Sequence, residues 1–139
     1  LSDIGWRVHP DHRGEQTLNL STNGNFGDVS QRGRACVALS VYYRYAGLNE
    51  INEPPPLVRE LVTPAMDERA RILGAAFRVA HLISAARPGV LPATHFRSIG
   101  RKLKLVFEHR MVDLVADRVG SRFKQLARLV GRSGSSVRR

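Results

Sequence analysis

The sequence predicts a mainly α-helical chain with a small α+β appendage, a β-hairpin followed by a C-terminal helix. Three observations predict this. Apolar residues recur at intervals of three and four over 65–86 and 111–130, which is the helical period. Segments 94–99 and 102–107 instead alternate on either side of Gly100-Arg101, the pattern of two strands joined by a turn. With 139 residues, 42% hydrophobic and 24% charged, the chain suits one globular domain, with or without an appended subdomain.

The opening stretch holds the single tryptophan, Trp6, and two of the five histidines, His9 and His12. Leu1, Ile4 and Val8 share a helical face, but Pro10 stops any helix within a turn or two. The Asp3-Ile4-Gly5 step reads as the end of a helix begun upstream, so the chain is expected to be a piece of a longer one. Asn23-Gly24-Asn25-Phe26-Gly27 is a turn-rich break. Asp28 or Ser30 can then cap a helix over 31–45. Its apolar residues run nearly unbroken from Ala35 to Tyr43, as in a central helix buried on most sides, and Gly47 ends it.

Glu53-Pro54-Pro55-Pro56 is a stiff connector, leading to a short helix over 57–62. Thr63-Pro64 stops that helix and caps the next, over 65–86, with Ile72, Ala76, Val79, Ile83 and Ala86 facing the core. Arg71 and Arg78 fall seven apart on a shared face, and Arg87 follows nine residues on. Composition changes after Pro92, where the hairpin begins. The final helix places Val115, Val119, Phe123, Ala127 and Val130 on its buried side. Asp113 and Asp117 near its start and Arg128 and Arg132 near its end suit the helix dipole. The stretch from Gly131 to Arg139 reads as a disordered tail. The expected division is therefore a helical domain over 1–90, a hairpin–helix subdomain over 91–132, and a tail over 133–139.

Composition narrows the function. No apolar run is long enough to span a bilayer, so no membrane role is expected. Cys36 alone rules out an internal disulfide and suits a reducing cytoplasm. Among Ala35, Val37, Ala38 and Leu39 it reads as a small core residue. Charge is uneven: residues 1–90 hold 10 Lys/Arg and 9 Asp/Glu, net +1, whereas 91–139 hold 12 and 3, net +9. That asymmetry argues for an anionic partner or neighbouring domain near the C-terminal part. Gly-x-Ser-x-Gly, a glycine-rich phosphate loop before a helix, and a clear Ser/His/Asp set are all absent. His9 and His12 have metal-like spacing, but Pro10 between them disfavours the helix that would aim both rings together, and a third ligand is missing. His95 and His109 flank the hairpin and are expected to be exposed, while His81 reads as a core histidine.

Four segments carry a family resemblance. They are Leu1-Ser2-Asp3-Ile4-Gly5-Trp6-Arg7 with His9-Pro10-Asp11-His12-Arg13-Gly14-Glu15-Gln16 after it, the run from Ala38 to Leu48, that from Ala70 to Ala80, and Gln125 to Gly131. In this order and spacing the chain resembles the C-terminal helical region of the exopolyphosphatase / guanosine pentaphosphate phosphohydrolase family, over most of its length. The resemblance implies an HD-like helical scaffold. Asp3 stands at the Asp of the His-Asp pair, Ser2 replaces the His, and His81 falls near a second metal position. This implies a degenerate site with no metal of its own.

By the same resemblance, catalysis and its magnesium belong to N-terminal domains outside these residues, so no catalytic residue or cofactor is expected here. The parent enzyme would remove terminal phosphate from polyphosphate or from guanosine pentaphosphate. This region would bind substrate, support a homodimer and act in the cytoplasm. Arg7, Arg13 and Arg44 are the candidate polyphosphate contacts, because arginine pairs phosphate oxygens bidentately. Pairing of these arginines with Asp3, Asp11, Glu15 and Glu60 on a solvated surface is the other reading. The basic C-terminal helix, with Arg118, Arg122, Lys124 and Arg128, is open to both readings as well. Two other functions compete: a basic nucleic-acid-binding module and a weakened HD-type metal phosphohydrolase.

Overall fold

The computed structural model describes residues 30–48, 53–86, 91–107 and 116–138. The opening stretch, including Asp3, Arg7, His9, His12 and Arg13, lies outside the described residues, as do Arg87, His109 and Val115. In chain order the elements are α1 (Gln31–Ala46), α2 (Pro56–Arg59), α3 (Pro64–Ala86), β1 (Thr94–Ile99), β2 (Lys102–Phe107), α4 (Ala116–Leu129) and β3 (Ser133–Arg138). The architecture is mainly α with a β appendage, as the sequence pattern predicts. The chain packs as two compact units, the first through Phe77 and the second from Arg78. They divide inside α3, upstream of the composition change after Pro92.

In the first unit Ser30 caps α1, its Oγ accepting the Gly33 N–H at 3.1 Å. Gly47 closes the helix at φ 95°, its N–H donating to the Tyr43 carbonyl at 3.1 Å. Between them Ala38, Leu39, Tyr42 and Tyr43 form a core with Val58 and Ala70, and half-buried Cys36 packs against it. The proline connector keeps its extended form at Pro55 (φ −53°, ψ 144°), and Pro56 then enters the first turn of α2. That helix is shorter than the pattern over 57–62 suggests. Leu61 and Val62 donate to Val58 and Arg59, three residues back, so the chain leaves in tight turns. Thr63 caps α3, its Oγ1 accepting the Met66 N–H at 3.3 Å.

Helices α1 and α3 meet at Gly74. A Cβ there would stand 2.7 Å from the Tyr43 Cβ and 2.9 Å from the Ser40 carbonyl oxygen, so the backbones approach as only glycine allows. Two turns nearer the start of α3, Tyr43 donates its hydroxyl to Asp67 Oδ1 at 2.5 Å. Arg71 donates Nε to Asp67 Oδ2 at 2.7 Å and lies 4.7 Å over the Tyr43 ring. Burial, and then the hydrogen bond to the Asp67 carboxylate, hold the Tyr43 hydroxyl well above the ordinary tyrosine range.

In the second unit the hairpin falls where alternation places it, with Gly100 at φ 55° in the turn. Burial does not alternate along it, however. β1 is exposed over nearly its whole length, whereas Leu105, Val106 and Phe107 at the end of β2 are all buried. β2 is the central strand of a three-stranded sheet of order β1-β2-β3. β1 pairs antiparallel with it and β3 parallel, so β2, α4 and β3 form a βαβ unit.

Strand β3 corrects the expected disordered tail. Serine and glycine have little strand propensity, and nothing local marks Ser133–Arg138 as a strand. Pairing with β2 decides it. Gly131 makes that pairing reachable at φ 68°, with the Arg132 N–H donating to the Ala127 carbonyl at 2.8 Å and the Gly131 N–H to that of Arg128 at 2.9 Å. These two bonds are a Schellman closure. The buried side of α4 is Val119, Phe123, Leu126 and Ala127. Val130, expected there, is 37% exposed because the helix has already ended. Among the described residues no helix is long and apolar enough to cross a membrane.

Gly74→Ala should destabilise the chain by about 1–3 kcal/mol through overpacking, seen as a lower urea midpoint. Tyr43 sets an alkaline limit. The unfolded chain releases the tyrosine proton near about pH 10 and the folded state holds it higher, so stability falls as pH rises above that value. Tyr43→Phe should be less stable at neutral pH yet lose this alkaline component, measured from urea midpoints at about pH 8 to about pH 11.

Candidate functional site

The second unit carries the charge. Its described stretches 78–86, 91–107 and 116–138 hold one, four and six Lys/Arg, eleven in all, against one carboxylate, Asp117. The ion pairs Arg59–Glu53 and Arg71–Asp67 both lie in the first unit. On α4 the helical period puts Lys124 and Arg128 on one flank of the buried stripe and Arg118 and Arg122 on the other. Both pairs are like-charged at i,i+4, an arrangement that weakens a helix slightly unless an anion lies between. Near the Arg122 flank, burial and then the Arg122 charge push the Arg78 guanidinium below the usual arginine range.

The Lys124 flank opens onto a cleft of about 480 Å³, lined by Lys124, Arg128, Gly131, Arg132, Ser133 and Gly134. Two glycines shape it. Gly131 reverses the chain, and Gly134 lets β3 lie against α4: a Cβ there would stand 2.9 Å from the Ala127 Cβ and 3.2 Å from the Lys124 Cα. Arg132 is anchored through one nitrogen, its Nη1 donating to Ser98 Oγ and, at 2.9 Å, to the Gly100 carbonyl. Nε and Nη2 take no part in these bonds, and together they are the edge that pairs a phosphate bidentately. The C-terminal end of α4 stabilises the cations beside it through the helix dipole. An anion would therefore be held by the side chains, not by the helix end.

The arrangement can pair an anion through these cations. Among the described residues no group of three or more His, Cys, Asp or Glu could hold a metal ion. His81, expected in a core, is exposed on α3, because the buried stripe there runs through Val79 and Ile83. Its carbonyl accepts the Ser84 hydroxyl at 3.1 Å. The other degenerate metal position, Asp3, lies outside the described residues, as do Arg7 and Arg13. Arg44 is 7% exposed near the end of α1, with its guanidinium 4.6 Å over the Tyr45 ring and Nη1 donating to the Tyr45 hydroxyl at 3.0 Å. Sequence reasoning named Lys124 and Arg128 but left their role open, and it assigned Arg132 only to the dipole. The available signal was the like-charged i,i+4 pair followed by Gly131, with no carboxylate nearby.

The fold and cleft thus define a mainly helical chain with a cationic β appendage. The family profile described as "Exopolyphosphatase, C-terminal" matches residues 1–137. The chain belongs to this family. No curated protein matches it.

Arg132 and Lys124 should separate on substitution. Arg132→Ala removes two bonds that tie α4 to the hairpin turn and should cost about 1 kcal/mol of stability. Lys124→Ala, on an exposed flank, should stay within about 0.5 kcal/mol of the parent chain, both read from urea midpoints.

Proposed function

We propose that this chain is the substrate-holding region of an exopolyphosphatase-type hydrolase. Its cleft grips the phosphate chain of polyphosphate, or the phosphates of guanosine pentaphosphate, while magnesium-dependent removal of the terminal phosphate takes place in N-terminal domains outside these residues. The observation that carries this reading is the convergence of Lys124, Arg128 and the Arg132 fork on one cleft. Family membership supports phosphate chains as the substrate class. A linear polyphosphate is narrow and carries a charge at every phosphorus, so it suits a cleft lined by closely set cations.

The helical first unit is proposed to be an HD-like scaffold that has kept its helices without a metal, and to support a cytoplasmic homodimer. Arg7 and Arg13 remain proposed phosphate contacts in that unit. Burial of the Arg44 guanidinium against Tyr45 favours a packing role for the third arginine.

The test is titration of the chain with long-chain polyphosphate. Lys124→Gln with Arg128→Gln should weaken binding by about ten-fold or more, because two charge-assisted hydrogen bonds to phosphate are removed, with the urea midpoint retained. Unchanged affinity in the double variant would remove the cleft from the reading.

A further inference from the structure

The sheet has a second face that the cleft does not use. On one side Phe96 stacks on Phe123 of α4 with ring centroids 5.8 Å apart, Arg132 bonds Ser98, and Gly134 lies under Ala127. Strand alternation therefore turns Arg97 and Ile99 of β1, Lys102 and Lys104 of β2, and Ser133 and Ser135 of β3 to the reverse side. The pairing register sets Arg97 directly opposite Lys104, and Lys104 opposite Ser135. Lys102 stands opposite Ile99 on one side and Ser133 on the other.

Directly opposed residues on one face hold their Cβ atoms about 5 Å apart, so Arg97 and Lys104 form a like-charged cross-strand pair that costs stability in the free chain. Lys102 adds a third cation two residues, about 7 Å, along β2. The strands and their turn contain no carboxylate, and the turn itself adds Arg101. Arg97, Arg101, Lys102, Ser133 and Ser135 are exposed and Lys104 is half-buried, whereas the Val106 end of this face is covered. The open part is thus a cationic, hydroxyl-bearing platform at the hairpin-turn end.

We infer that this reverse face binds the backbone of duplex RNA. A neutralising anion turns the Arg97–Lys104 repulsion into two attractions, so the occupant is anionic. A face two to three strands wide, about 5 Å per strand, spreads its cations sideways as well as lengthwise, which fits the two phosphate rows of a duplex better than one linear chain. Phe96 packs on the opposite side against Phe123, and alternation turns a single ring, His95, to this face, too few to stack a run of unpaired bases. Among duplexes, A-form RNA has a wide, shallow minor groove lined by 2′-hydroxyls and read by shape and backbone contacts. The reverse face of the sheet can lie across it and offer the Ser133 and Ser135 hydroxyls to 2′-hydroxyls and phosphates. The deep, narrow minor groove of B-form DNA offers such a face only its phosphates.

The test measures binding of the 139-residue chain to a 20-base-pair RNA duplex by fluorescence anisotropy across a salt series. The same series is run with a DNA duplex of equal length. Arg97→Gln with Lys104→Gln should weaken RNA binding about ten-fold or more at low salt and flatten the log–log salt slope by about 2, one unit for each phosphate no longer neutralised. Lys102→Gln, at an exposed site, should flatten it by about 1. The cleft pair Lys124→Gln with Arg128→Gln should leave RNA affinity within about two-fold of the parent, and DNA should bind more weakly than RNA at every salt concentration.

Four results would overturn the inference: no saturable RNA binding, a slope unchanged in the sheet variants, an equal loss in the cleft pair, or equal affinity for DNA. Equal affinity for DNA would leave plain backbone charge as the explanation. Thermal midpoints guard against misfolding. Removing a like-charged pair should hold or raise them, and Arg97→Lys, which keeps the charge, should restore the parent salt slope if Arg97 acts by charge.

Discussion

The second unit depends on one backbone reversal. At Gly131 the chain adopts a left-handed conformation that residues with a Cβ seldom occupy, and the Arg132 and Gly131 N–H groups close the last turn of α4. The next residue, Ser133, donates to the Arg101 carbonyl and starts β3 alongside β2. Three consequences come from that turn. β2 becomes a central strand with a buried end, α4 gains a sheet face to cover, and the space between the end of α4 and the start of β3 becomes the cationic cleft.

A comparable constraint shapes the first unit. Close packing at Gly74 seats α3 on α1 beside Ser40 and Tyr43, and the Tyr43–Asp67–Arg71 cluster fixes the rotation of each helix. A tyrosine hydroxyl, a carboxylate and a guanidinium satisfy one another there, so a polar group can sit at the edge of an apolar core without leaving a donor unpaired. The two units therefore use glycine to the same end, bringing backbones closer than a side chain would permit. They differ in charge. The described stretches of the first unit hold six arginines against four carboxylates, with two ion pairs among them, whereas those of the second hold eleven cations against one carboxylate.

That imbalance is the link from structure to function. A helix flanked by two like-charged pairs, and a strand pair with Arg97 opposite Lys104, are both unfavourable in an isolated fold. The apolar side of α4, the Phe96–Phe123 stack and the Arg132 anchor supply the compensating stability. The chain belongs to the exopolyphosphatase C-terminal family, and a unit whose described cations far outnumber its carboxylates would gain free energy on meeting a polyanion.

Much of this was legible in the residues themselves. The cap at Ser30, the stop at Gly47, the Thr63-Pro64 start of α3 and the hairpin about Gly100 are local features, governed by side chains within four residues of the backbone groups they satisfy. The excess of cations after residue 90 was also plain from composition. Tertiary structure alone decided the rest. β3 has no local strand signal, and only pairing with a strand about thirty residues away gives Ser133–Arg138 its form. Leu126 replaced Val130 on the buried side of α4 because the helix stops at the reversal, not where the apolar period runs out. The cleft follows from the same fact: Lys124 and Arg128 are charges on a helix in one dimension, and they face a partner site only because Gly131 and Gly134 bring a strand against them. Local chemistry sets where elements begin and end, while long-range pairing sets which faces meet and hence where an anion can be held.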